Sequence, residues 1–195
     1  MKHAVLDLRP TQMALGMKEV EHRVNIIRGL KKEELQDYLH VRKVPVVLAP
    51  KGRIYLVDRH HLVRACWEAS VTEVTTDVIA DLSAHSFDDL WAKMKESNWI
   101  FPFDQFGGGP HDPIHLPENV RGMADDPYRS LAWMVRDKGG FQKSPQPFAE
   151  FHWANYLRKH MRLHPAFDNI HEAITEALHL CRHPQANHLP GFVKP

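Results

Sequence analysis

Residues 52–69 read GRIYLVDRHHLVRACWEA and hold the side chains best suited to chemistry. A β-branched and aromatic run, 53–58, passes straight into an apolar helical pattern from His60. At the handover stand Asp58, Arg59, His60 and His61, with Arg64 one turn further on. A helix start exposes unpaired N–H groups and a partial positive charge, so anions bind there. His60 and Arg64 are four apart and share a helix face. Arg64 could clamp a phosphate with its planar fork. A neutral imidazole could donate a hydrogen bond or shuttle a proton near pH 7. Asp58 could fix a histidine tautomer, hold a metal or act as a base. A plainer reading stands beside this one: Asp58 as an N-cap, the histidines exposed in the first turn, Arg64 in a surface ion pair.

Several elements must position that junction. HAVLDL (3–8) reads as a strand ended by Pro10, with Thr11 a candidate cap for the next element. Met17, Val20, Val24 and Ile27 recur at helical spacing, and 31–42 is a second helix carrying Leu35 and Leu39. VPVVLA (44–49), the turn PKG and the strand 53–58 form a hairpin or near-hairpin, followed by the helix 60–69. Residues 73–82 supply another strand, and 86–97 a helix that opens with Ser86 and Asp89 as its capping signal. Composition then shifts. Residues 98–127 hold five prolines and four glycines, which marks a long loop. Three helices follow: 125–140, capped by Asp126 with Pro127 in the first turn and stopped at Gly139–Gly140, then 147–161, then 168–183. The expected fold class is α+β. A small mixed sheet with helices occupies 1–97, the Gly/Pro-rich loop 98–127, and a C-terminal helical region 128–195 packs on the same unit.

The totals exclude some classes. The formal net charge is +1, so DNA binding would need a local basic patch. Cys66 and Cys181 are the only cysteines and make neither a disulfide framework nor a zinc spacing. A reducing, cytoplasmic setting fits. The opening MKHAVLDLRPTQ has no apolar h-region, and no apolar run is long enough for a membrane span.

Other residues are weaker candidates. Glu19 and Arg23 stand at i, i+4; the plain reading is an ion pair, and the functional one makes Glu19 or Glu21 a general base or Mg²⁺ ligand. Arg9 and Gln12, at the end of the first strand, could reach a nucleotide. GGGPHDPIH lacks the Lys-Ser/Thr of a P-loop; it reads as a mobile surface loop or a lid with His111, Asp112 and His115 as contacts. His179 and His183 have helical metal spacing without an obvious acidic third ligand. Trp133, Trp153, Phe148 and Phe151 lie on helical faces and read as core rather than as a base-stacking platform.

YLVDRHHLVRACWEA resembles the core motif of the ParB/sulfiredoxin superfamily, a strand followed by a His-His-Arg-type triplet that opens a helix. The resemblance covers roughly residues 3 to 82. LRPTQMALGMKEVEHR and DDPYRSLAWMVRDKGGF…FAEFHWANYLR are similar to the ParB-like nuclease group, and that likeness spans nearly the whole chain. The resemblance implies a phosphate or nucleotide site at this helix start, with ATP, ADP or CTP as candidate ligands and Mg²⁺ as a candidate ion. It places Asp58, His60 and His61 on a kinase-type triplet, Arg64–Ala65 on the Arg-Ala of the ParB box, and Glu19 or Glu21 near the family's acidic helix residue. Arg59 stands where the pattern has glycine, where it could crowd a phosphate or add a ligand, and Leu62 replaces the triplet arginine. No cysteine lies in the triplet, which argues against sulfinic-acid repair.

The expected function is therefore a phosphate- or nucleotide-binding enzyme that hydrolyses or transfers phosphoryl groups, with a phosphodiester substrate open. Glu19, Asp58 and His61 are its candidate catalytic residues. Arg9, Gln12, Arg59, His60, His61 and Arg64 are its candidate ligands for phosphate or nucleotide, and Asp58 or Glu19 for Mg²⁺. The alternative is a non-catalytic nucleotide-sensing or DNA-associated adaptor. A nucleotide or phosphate is the expected partner, DNA lacks a strong basic footprint, and a homodimer is open.

Overall fold

The computed structural model describes residues 1–164 and 169–194. The chain forms two compact units, Met1–Asp125 and Asp126–Pro195.

The first unit is built on a mixed five-stranded sheet. Its strands are β1 (Lys2–Ala4), β2 (Leu8–Pro10), β4 (Val44–Ala49), β5 (Arg53–Leu56) and β6 (Glu73–Asp81), in the spatial order β1-β6-β4-β5-β2. β4 and β5 pair antiparallel as the expected hairpin, whereas β6 joins β4, and β2 joins β5, in parallel. Between β2 and helix α1 (Met17–Gly29) lies β3 (Ala14–Leu15), which pairs parallel with β7 (Ala124–Asp125). Helices α2 (Lys32–His40), α3 (His60–Glu68) and α4 (Phe87–Glu96) complete the unit.

Both faces of the sheet are covered, which is why VPVVLA reads as a continuous apolar run. Ile54 and Leu56 point to the core shared with α1, α2 and α3, while Tyr55 and Val57 point to the one shared with α4. In β4 the split falls between Val46 and Val47, where the pairing with β6 shifts register. The faces alternate as in any strand, and the extra residue at the register shift, Ile79, lies on β6.

Two local expectations are corrected. The strand at 3–8 is broken by a 3₁₀ turn, Val5–Asp7, directly after the ladder with β6 ends in the bond from the Val5 N–H to the Thr72 carbonyl at 2.9 Å. Thr11 caps no helix. Its hydroxyl donates to the Leu56 carbonyl at 3.0 Å, and α1 starts six residues later behind Gly16. The Ser86 cap is present: its hydroxyl accepts from the Asp89 N–H at 3.1 Å. The stretch expected as one long loop carries two 3₁₀ turns, Pro113–His115 and Val120–Gly122, before β7.

The second unit is helical, with α5 (Pro127–Asp137), α6 (Ala149–His160) and α7 (Ile170–Arg182). Asp126 caps α5, accepting from the Tyr128 and Arg129 N–H groups, as its sequence signals. The expected start of the last helix at Asp168 lies outside the described residues. Trp153, Phe151, Leu131, Val135 and Ala177 are buried here, so Trp153 and Phe151 are packing residues; Trp133 and Phe148 are half-buried. Gly191 is left-handed (φ +72°), and a Cβ there would fall 2.0 Å from the Gln142 carbonyl oxygen, so only glycine lets these segments meet.

Among the described residues no helix is long and apolar enough to cross a membrane.

Candidate functional site

β5 carries the chain to the start of α3 with Tyr55, Leu56 and Val57 buried and Asp58 exposed. Arg59 then adopts a left-handed backbone (φ 64°, ψ 27°). For a residue with a Cβ this conformation costs on the order of 1 kcal/mol. The Asp58 Oδ1 supports it by accepting the Arg59 N–H at 2.6 Å. The glycine that the related motif places here is thus explained by backbone demand, and Arg59 meets the same demand while adding a cation. No side chain caps α3, and the N–H groups of His60 and Leu62 meet no acceptor among the described residues. The half-buried Arg59 guanidinium likewise has no hydrogen-bond or ion-pair partner there. The junction is therefore an open, positively polarised helix end with a cation beside it.

The two histidines point into the protein rather than outward. His60 is 2 % exposed, and its Nε2 accepts the Thr11 N–H at 3.1 Å. Burial, opposed by nearby Asp58, pulls its pKa down to about 4. His60 is accordingly neutral at physiological pH and pins the segment after β2 to α3; its Nε2 lone pair is not offered to a ligand. This burial has a pH consequence. A folded pKa of about 4, below the ordinary 6.5, means the unfolded chain takes up the proton first as pH falls. Stability is full above about pH 6.5 and declines toward pH 4, by on the order of 3 kcal/mol. Urea midpoints of wild type and His60→Gln at pH 7.5 and 4.5 check this: the wild type should lose more stability between the two.

His61 meets a carboxylate as well as a backbone donor. Its Nε2 accepts the Gly16 N–H at 3.1 Å and stands 3.6 Å from the Glu19 Oε2. Glu19, on the first turn of α1, is 5 % exposed. Its Oε1 accepts from both Arg23 Nε (3.2 Å) and Arg23 Nη2 (2.7 Å). Glu21 instead faces solvent and pairs with Lys18 at 2.9 Å. Of the two acidic candidates on α1, the fold brings Glu19 to α3 and leaves Glu21 outside.

Arg64 has a structural placement. Its Nε donates to Glu68 Oε1 (2.9 Å), and its Nη1 to the carbonyls of Val120 (2.9 Å) and Met123 (3.2 Å). It ties α3 to the turn before β7, and with Arg121 it lies against Trp67. Arg9 lies 3.8 Å from exposed Glu118. Gln12 is only 8 % exposed, yet its side-chain amide has no hydrogen-bond partner among the described residues. Its backbone bridges to Phe101, at the root of the glycine-rich loop. That loop is folded on itself: Asp104 accepts from the Phe106 and Gly108 N–H groups and pairs with His111 at 3.0 Å. Asp112 caps the turn Pro113–His115.

No sequence signal marked Thr11 and Gly16 as the backbone donors that fix the histidines, since their contacts span 49 and 45 residues.

No group of three or more His, Cys, Asp or Glu side chains converges on one point among the described residues. Glu19 is held by Arg23, Asp58 by the Arg59 N–H, and His183 Nδ1 accepts the Gln185 N–H. Cys66 and Cys181 are buried, and burial pushes each thiol up to about 12, so neither is a ready thiolate.

Comparison with known proteins agrees with this architecture. The crystal structure of protein Atu1540 from Agrobacterium tumefaciens superposes with a TM-score of 0.91 at 37 % identity, over 100 % of this chain and 98 % of that one. No curated protein matches the sequence. The family model described as "Putative ParB-like nuclease" matches residues 1–159, spanning β1 through α6 and the whole α3 junction, and the chain belongs to that family.

Proposed function

We propose that the chain binds a phosphorylated ligand at the first turn of α3 and hydrolyses or transfers its phosphoryl group, on a nucleotide or a phosphodiester. The observation that carries this reading is the uncapped start of α3, with Arg59, unpaired among the described residues, beside it and the buried His61–Glu19 pair one residue inside. Phosphoryl transfer asks the protein mainly for positioning and for positive charge around the phosphoryl oxygens. The N–H groups of His60 and Leu62 and the Arg59 guanidinium supply donors and charge. Glu19, paired with Arg23, takes the proton of the attacking water or hydroxyl, and His61 passes or donates one. Asp58 shapes the junction and is the exposed carboxylate next to the bound phosphate. No step is routed through a metal ion.

A thermal-shift panel tests this, using ATP, ADP, CTP, GTP and inorganic phosphate, each with and without Mg²⁺, on wild type and Arg59→Ala. A ligand at a hundredfold excess over its Kd stabilises by about 2.7 kcal/mol. At least one should do so for the wild type, and Arg59→Ala should weaken it. Release of phosphate or cleavage of a labelled oligonucleotide is then measured with the ligand that binds. If no ligand shifts the melting curve, the site is not a phosphate site. A shift without turnover would make the chain a nucleotide-responsive adaptor instead.

A further inference from the structure

His61 Nε2 stands at a fork. The Gly16 N–H, 3.1 Å away, requires a lone pair on Nε2 and so places the ring proton on Nδ1. The Glu19 Oε2, 3.6 Å away, would favour the opposite tautomer, with Nε2 carrying the proton toward the carboxylate. Both neighbours come from the start of α1, and the spacing between them and the ring decides which wins.

Arg23 bears on that choice. It grips one oxygen of Glu19 through two donors, Nε and Nη2, from one turn further along α1. That grip draws the carboxylate along the helix and offsets its charge. Tyr38 of α2 lies near Arg23, and its ring carries Arg42 at 4.0 Å. Asp125 of β7 fixes the other end of the same turn by accepting the Met17 N–H at 3.0 Å. The carboxylate is thus held between a fixed helix start and an anchored guanidinium, just beyond hydrogen-bond reach of the imidazole.

We propose that Arg23 is a positioning residue that restrains Glu19 and thereby sets the tautomer of His61, leaving the ring proton on Nδ1. It touches no reacting atom. This deepens the reading given above and rests on it for its catalytic meaning, although the tautomer itself is measurable without any activity. Replacing Arg23 by a neutral side chain lets Glu19 close on Nε2, which becomes the proton-bearing nitrogen and gives up its bond from Gly16.

The test compares the full-length wild type with Arg23→Gln and Arg23→Lys. Two-bond ¹⁵N–¹H correlation spectra of the imidazole, assigned through His61→Gln, report which nitrogen carries the proton at one neutral pH. The expected result is an Nδ1–H ring in wild type, an Nε2–H ring in Arg23→Gln, and a return to the wild-type pattern in Arg23→Lys. In the phosphoryl assay, kcat should fall at least tenfold in Arg23→Gln with KM unchanged, and recover in part in Arg23→Lys. An unchanged tautomer in a folded Arg23→Gln protein would overturn the proposal. The tautomer change in a protein that turns over no phosphoryl substrate would leave the positioning role standing and defeat the enzymatic reading alone.

Discussion

Replacing Glu19 by glutamine is expected to reduce phosphoryl turnover about 10²- to 10⁴-fold, the usual worth of a positioned general base. The change is nearly isosteric and keeps an oxygen for Arg23. The charge that lets the side chain take a proton disappears. The phosphate-binding elements, the first-turn N–H groups of α3 and Arg59, are untouched, so the ligand-induced thermal shift should persist. The stability cost is softened because the Arg23 side chain is 31 % exposed and can draw on water. Turnover at the wild-type rate, measured at saturating substrate, would remove Glu19 from the mechanism. Glu21→Gln is the internal control: that side chain points to solvent and pairs with Lys18, so its loss should leave the rate unchanged.

The largest stability effect is expected at Trp153. The side chain is fully buried. Its ring stacks on Phe141 with centroids 4.5 Å apart and meets Tyr156 edge-on at 5.9 Å. Its Nε1–H donates to the Pro190 carbonyl at 2.7 Å. Trp153→Ala should destabilise the protein by about 3–5 kcal/mol through lost burial and the cavity left behind. The stranded Pro190 carbonyl adds about 1 kcal/mol or more. This is a large part of the roughly 5–15 kcal/mol typical of a folded protein, and amide hydrogen exchange in α5, α6 and α7 should accelerate accordingly. Trp153→Phe keeps a ring against Phe141 and loses the hydrogen bond, so it should fall between the two. Exchange in Trp153→Ala that matches the wild type would show that this core does not depend on the indole.

Much of the frame was legible because it is local. The β4–β5 hairpin, the start of α3 at His60, the Ser86 cap and the Asp126–Pro127 opening of α5 all come from neighbouring residues. The site was legible only as a set of candidates. Sequence spacing gave Glu19 and Glu21 equal standing, and only the rotation of α1 against α3 separates them. It also made His60 and His61 look like twins. Their roles part because each meets a different backbone N–H, from Thr11 and Gly16, across long stretches of chain. Arg64 looked like a phosphate clamp at i+4 from His60, but the carbonyls of Val120 and Met123, 56 and 59 residues away, occupy its Nη1. Arg59, set against the glycine of the related motif, proved to be a question of backbone angle, which its left-handed conformation answers.

Residues 1–16 pair with strands and bridges far along the chain. Lys2–Ala4 lie against β6, Leu8–Pro10 against β5, Gln12 against Phe101, and Ala14–Leu15 against Ala124–Asp125. Each partner lies tens of residues further on, so closing these pairs costs loop entropy before any contact repays it. The strand beside α1 closes, and Met17 gains its Asp125 acceptor, only when both ends of the first unit are in place. Because Thr11 and Gly16 hold the two histidines, the junction at α3 depends on this same segment. The candidate site therefore assembles together with the first unit, at a pace set by long-range pairing and not by the local propensity of α3.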